Sequence, residues 1–494
     1  MSLSARRLGF LAVGAVAGTG LALAVHYGSL RSQVPYQGLL LLGLGIVFSL
    51  LGSLAYVSWR IEPAWLLTAA LLATAFSGNW GAFGLPAGFP PDRLLLFAAI
   101  GAMLARSPGA EGLARFRFDA VHALLLLALA WAVGSAIAAN TLGEASTVFT
   151  LLDRFVIPFT IFALAPLAFH TPRHRAGLLA ALVGFGAYLG LTAIFEAVGP
   201  HALVFPGYIL DPSYGYHAAR ARGPFVEATA NGIGLYISAV AAAMALATWQ
   251  GKWSRGFAGA VLLVCVLGLL LTLTRSVWVA TVVATGATLV IAPPLRRYLL
   301  PSAIGLSVLV LLALAVVPGL STSVDERRDA NRPVWERENV NAAAVNMVSE
   351  RPLVGFGLGT FNEQNRDHFR LLDRVPQVAA VQIDIHNVFL SLAVELGLIG
   401  AGLFVAAFLC AVGSALLSRG PPEMSAWRAG LLAIAIFWIV IANFAPTGQV
   451  FPSLIVWFWA GVVLSGSVTE RVARRARTRR VEPTGPRLAY ESSE

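Results

Sequence analysis

Residues 384–404 read DIHNVFLSLAVELGLIGAGLF. From Val388 onward the stretch is apolar enough to begin a membrane-spanning helix. Yet it opens on His386 and Asn387 and carries Glu395 some 13 Å further along, at about 1.5 Å of rise per residue. A titratable imidazole at a helix start followed by a submerged carboxylate marks either a site or a structural lock. The Glu395 position favours the lock.

The rest of the chain is of the same kind. Of 494 residues, 57% are hydrophobic and 12% charged, against about 25% charged in a soluble domain. Apolar runs recur near the roughly 20 residues that cross a bilayer. They lack the alternation of a β-barrel, and an open sheet cannot span lipid. The expected fold is all-α, a polytopic transmembrane helical bundle. Fourteen stretches read as spans: 8–26, 36–58, 64–77, 92–105, 119–139, 154–169, 176–198, 227–248, 257–274, 276–292, 299–317, 387–417, 427–445 and 450–468. The stretches 64–77 and 92–105 are short and flank a Gly/Pro/Trp-rich loop. If they are re-entrant, twelve full spans remain. Cys265 and Cys410 both lie in apolar runs and read as small hydrophobes.

The net charge of +10 is almost wholly arginine, with Lys252 as the single lysine. With the N-terminus in the cytoplasm, Arg60, Arg106, Arg173, Arg255, Arg296, Arg419 and the tail RVARRARTRR (471–480) all fall on the cytoplasmic side. The tail is then an orientation signal beside anionic lipid rather than a nucleic-acid ligand. The chain divides into a bundle (1–317) with an external loop at 199–226, a large external loop (318–386), C-terminal spans (387–468) and a basic tail (469–494). The large loop holds eight arginines and ten carboxylates, positive charge that the orientation rule does not require.

Several external groups can carry chemistry. Arg220 and Arg222, in HAARARGPFVEATANG (217–232), are planar donor forks that suit phosphate; otherwise they snorkel to headgroups. Arg275 sits in a tight hairpin, LLLTLTRSVWV (269–279), and either binds an anion or pairs with Glu395 or Glu227. The stretch NRPVWERENVNAAAVNMVSERP (331–352) reads as a partly amphipathic helix ended by Pro352. It is followed by VGFGLGTF (354–361), a glycine turn with no strand before it, and so not a dinucleotide fingerprint. His386 is a candidate general base, with Asp384 to orient it and Asn387 as cap or sugar ligand. The sequence has no Walker, HExxH or GxSxG motif, and none of these groups needs a metal or cofactor. Arginines beside a histidine at a lipid surface suit a lipid diphosphate leaving group and a hydroxyl acceptor.

The order of motifs resembles the O-antigen ligase and Wzy-type polymerase superfamily of bacterial envelope glycan transferases. It runs from RGPF ahead of a span, through TRS at a hairpin, to PLVGFGLGTF and then HNVFLSLAVELGLIG. The resemblance covers about 217–404 and implies a bundle similar to GT-C glycosyltransferases, with a large periplasmic loop in the bacterial inner membrane. It implies transfer of a glycan from undecaprenyl diphosphate, without metal or nucleotide, to a glycan or lipid A-core acceptor. It also implies His386 as the catalytic base and Arg222 and Arg275 as diphosphate contacts, with Arg220 and Arg337 as weaker ones. Asn387, Asp384 and Glu395 take supporting roles. A protein O-oligosaccharyltransferase of the same family and a polysaccharide or lipid transporter are the alternatives. A transporter should carry midplane charges and repeat symmetry, which this sequence lacks.

Overall fold

The computed structural model describes residues 52–53, 56–85, 90–106, 118–215, 220–316, 322, 332–369, 384–446 and 450–481. The expected span 8–26, most of 36–58, much of the loop 318–386 and the tail beyond 481 lie outside the described residues.

Every described element is helical, and the chain divides into two units, before and after residue 116. In the first, α1 (Pro63–Ala73) packs on α2 (Pro91–Arg106). At about 1.5 Å per residue neither reaches across the roughly 30 Å hydrocarbon core. Asp92, at the start of α2, is buried and receives hydrogen bonds from Trp80 Nε1 at 2.7 Å and Ser77 Oγ at 3.4 Å.

The second unit holds α3 (Ala120–Ala138), α4 (Ala145–Ala168), α5 (Pro172–Val198), α6 (Ala228–Thr248), α7 (Lys252–Leu271) and α8 (Arg275–Ile291). It continues with α9 (Leu299–Val316), α10 (Arg332–Glu350), α11 (Val388–Leu416), α12 (Met424–Ala442) and α13 (Val450–Val481). Among the described residues, nine helical stretches are long and apolar enough to cross a membrane, and α8 is a shorter apolar helix. All ten stretches expected between 119 and 468 are therefore helices, and the all-α polytopic fold holds.

Two boundaries differ from expectation. The span expected at 154–169 begins at Ala145, because α4 carries Asp153 and Arg154 through a π-turn at Leu152–Val156 instead of starting after them. The helix α13 does not stop at 468 but runs through the basic segment to Val481.

Among the described spans, the Val450–Val468 part of α13 is the most buried, and Trp457, Phe458 and Trp459 are fully packed within the bundle. The Trp457 ring meets Phe159 edge-on at 5.0 Å and Phe404 at 5.9 Å, joining α4, α11 and α13. Small residues allow close approach where lipid supplies no hydrophobic drive. A Cβ on Gly190 of α5 would stand 2.9 Å from the Val264 backbone of α7. By contrast α9 buries little, and Leu300 and Leu311 point outward, as suits a helix solvated by lipid. Antiparallel alternation gathers the end of α5, the α7–α8 hairpin, α10 and the start of α11 at one end of the unit.

Candidate active site

The stretch from His386 to Phe404 is not one continuous helix. The helix α11 breaks at Gly397, whose φ of 68° and ψ of 177° no helix contains. A break leaves orphan carbonyls before it and orphan amides after it. The glycine turn supplies both sets of partners. Phe356 N–H donates to Val394 O and Gly357 N–H to Glu395 O, each at 2.9 Å, while Leu398 N–H donates to Pro352 O at 2.7 Å. Trp131 Nε1 of α3 donates to Leu396 O at 2.9 Å.

The break explains the submerged carboxylate. Glu395 sits two residues before it, not deep in an unbroken span, and its Oε1 accepts Gly359 N–H at 3.1 Å. It locks the glycine turn to α11. Arg154, rather than Arg275, is the cation that acts on its carboxyl, and Arg154 lines a very small cavity with Val388, Leu392 and Trp438. The part of α11 from 398 to 416 is by itself about 28 Å long, close to a bilayer core. The first part, from 388 to 396, then stands above it as a short platform.

His386 stands at the head of that platform. Its Nδ1 lies 2.8 Å from Asp384 O. A carbonyl oxygen only accepts, so Nδ1 carries the proton and Nε2 keeps its lone pair. The sequence points to the Asp384 carboxylate as the orienting group; the backbone carbonyl does this instead. Burial, and next the Arg337 charge, hold His386 below its ordinary 6.5, while the Asp384 carbonyl and carboxylate and Glu336 act the other way. The imidazole is therefore neutral near pH 7. Asn387 is a cap: its Oδ1 accepts Leu390 N–H at 3.0 Å, and its Nδ2 reaches Asn443 Oδ1 at 3.3 Å.

Arg337, on α10, is partly buried, and burial together with repulsion from Arg275 disfavours its charge. Arg275 is the first residue of α8 and is exposed. The fold thus brings Arg337 of α10 into electrostatic reach of Arg275 on one side and of His386, with Asp384, on the other.

Arg222 takes another place. It is 1% exposed, and its guanidinium donates to the carbonyls of Tyr214, Ile209 (2.6 Å) and Asp211 (3.2 Å). Its backbone N–H and that of Gly223 donate to the Glu196 carboxylate at 2.9–3.0 Å. Its donors hold the 209–214 loop together instead of facing outward as an expected phosphate contact would. Arg220 is half-buried two residues earlier, where Ala221 N–H donates to Leu271 O at 3.1 Å, which ties this segment to the hairpin that leads to Arg275. Asn231 is buried and donates to Ala221 O at 3.0 Å, shaping the same turn. Arg222→Lys is accordingly expected to cost about 3 kcal/mol of stability, because one ammonium cannot reach three carbonyls. The check is the melting temperature in detergent; an unchanged value would return Arg222 to the ligand-binding groups.

Sequence reading missed Glu336, Arg154 and Glu196. Only Glu336 had a usable signal, as it lies one helical turn before Val340 on the amphipathic stretch.

The fold defines a multi-pass helical membrane protein, and the candidate site is a cationic, histidine-bearing group at one end of its bundle. Residues 258–405 match the family model described as O-antigen ligase, which bears out the resemblance to the O-antigen ligase and Wzy-type superfamily. The matched segment includes Arg275, α10, the glycine turn, His386 and Glu395. A search of curated proteins finds no match.

Proposed function

We propose that this protein transfers a glycan from undecaprenyl diphosphate to a hydroxyl acceptor at the periplasmic face of the bacterial inner membrane. The observation that carries the reading is the electrostatic coupling of Arg337 to both Arg275 and a neutral His386 within the family-matched segment. Two guanidiniums that repel each other are reconciled by an anion with two phosphates. The opposite end of the bundle carries Arg173, Lys252, Arg255, Arg296, Arg297, Arg419 and Arg428. That bias supports a cytoplasmic position for that end and a periplasmic one for the site.

In this mechanism His386 Nε2 takes the proton of the acceptor hydroxyl as its oxygen attacks the anomeric carbon. The bond from that carbon to the diphosphate oxygen breaks, and the bonding electrons leave with undecaprenyl diphosphate. Arg275 and Arg337, with Arg220 at the rim, stabilise the charge that develops there. Arg222 keeps the neighbouring loop in shape. One displacement from the opposite face inverts the anomeric centre. The imidazolium then releases its proton to water or to the departing diphosphate.

The test is transfer by purified protein in detergent from an undecaprenyl-diphosphate oligosaccharide, with EDTA and no nucleotide. Growth of the lipid-linked glycan in the donor alone indicates polymerase action. Transfer only after lipid A core is added indicates a ligase, and transfer only to a protein hydroxyl indicates O-oligosaccharyl transfer. The expected product has an inverted linkage. No turnover with any of the three acceptors would sink the proposal.

A further inference from the structure

The helix α10 buries Val340, Ala344 and Met347 in one cluster with Ile385 and Val394, with Leu390 packed against it. These three α10 residues share a face. Glu336 continues that face one turn beyond Val340, about 6 Å further along the axis. Ile385, in the same cluster, immediately precedes His386. The packing that seats α10 on the platform thus brings the turn holding Glu336 and Arg337 to its His386 end, within electrostatic reach of the imidazole.

From this geometry we infer that Glu336 is a positioning residue that acts through His386, stabilising the imidazolium formed when His386 accepts a proton. The inference rests on the reading of His386 as base. Arg337 acts in the opposite sense, keeping the resting imidazole neutral and serving the anionic donor. Among the described residues, the charged groups that bear on His386 are Arg337 and Glu336 from α10 and Asp384 from its own segment; Arg275 of α8 bears in turn on Arg337. Attraction from Glu336 and repulsion from Arg337 have the signs this division of labour needs. A base near neutral pH works best when it is free at rest and readily charged in the transition state. A carboxylate and a guanidinium side by side supply both conditions.

The experiment labels full-length protein in detergent with diethyl pyrocarbonate, which acylates histidine only in its unprotonated form, and reads the His386 peptide by mass spectrometry across pH. Glu336→Gln is expected to move the His386 labelling midpoint to lower pH, and Arg337→Gln to higher pH. Glu336→Asp should restore the midpoint toward that of the unaltered protein. A purely structural Glu336 would leave the midpoint in place or move both variants the same way, and either result overturns the inference. In the transfer assay Glu336→Gln should lower kcat about tenfold with KM nearly constant, equivalent to about 1.4 kcal/mol. The labelling needs no substrate. Loss of the base reading, seen as full activity in His386→Ala, is therefore distinct from loss of the Glu336 coupling, seen as an immobile midpoint.

Discussion

His386→Ala is expected to lower glycan transfer by about 100- to 10,000-fold, the range that a positioned general acid or base contributes. The protein should stay folded, because His386 is only partly buried and its imidazole bonds to the carbonyl of Asp384, two residues away. The neighbouring cap, Asn387 to Leu390, is independent of the imidazole. Donor affinity should change little, since Arg275 and Arg337 remain. The loss should therefore appear in kcat rather than KM. The pH dependence has a definite sign. The base form exists above the His386 pKa, which is depressed below 6.5 first by burial and then by Arg337. Activity should be present at neutral pH and fall as pH drops through that lowered value. Steady-state rates between pH 5 and 8 test this, and a variant that transfers at the full rate would remove His386 from the mechanism.

The second large effect belongs to a residue with no chemistry of its own. Gly397→Ala should destabilise the protein by several kcal/mol and abolish transfer. A residue in this backbone region costs about 1–3 kcal/mol unless it is glycine. The added Cβ would also stand 2.1 Å from Leu353 O. Backbone cannot yield there without parting the glycine turn from α11, which breaks the pairings of Phe356, Gly357 and Leu398. The His386 platform and α10 would then lose their common support. Gly402, five residues on in the same helix, is the control. Nothing lies within 4 Å of a Cβ there, so Gly402→Ala should be neutral or gain up to about 1 kcal/mol of helix propensity. Melting temperatures in detergent, with hydrogen exchange at the Phe356, Gly357 and Leu398 amides, separate the two. Equal effects at both glycines would rule out the broken helix as the support of the site.

Two arginines show how a shared local pattern can mislead. Arg222 and Arg275 look equivalent in sequence, each a cation at the lip of an apolar run. One is drawn into three carbonyls of its own loop and a neighbouring carboxylate. The other starts a helix and acts electrostatically on Arg337. Part of that difference comes from Glu196 of α5, 26 residues upstream, whose carboxylate accepts the Arg222 backbone N–H. No local pattern carries that information.

The residues alone determined the membrane class and the ten helices between 119 and 468. Hydropathy and charge bias act within single segments of about 20 residues and can be read without knowing any partner. Tertiary structure alone decided that the helix opening on His386 is broken. In sequence, Gly397 is indistinguishable from the packing glycines around it. Its conformation is set by a turn some 40 residues away that satisfies its orphan backbone groups. Glu395 likewise reads as a charge in lipid until Gly359 is found donating to it. Glu336 gains meaning only when the buried stripe of α10 is seated against Ile385. Hydrogen bonds and charge pairs depend on distances between remote segments, and those distances exist only once the chain has packed.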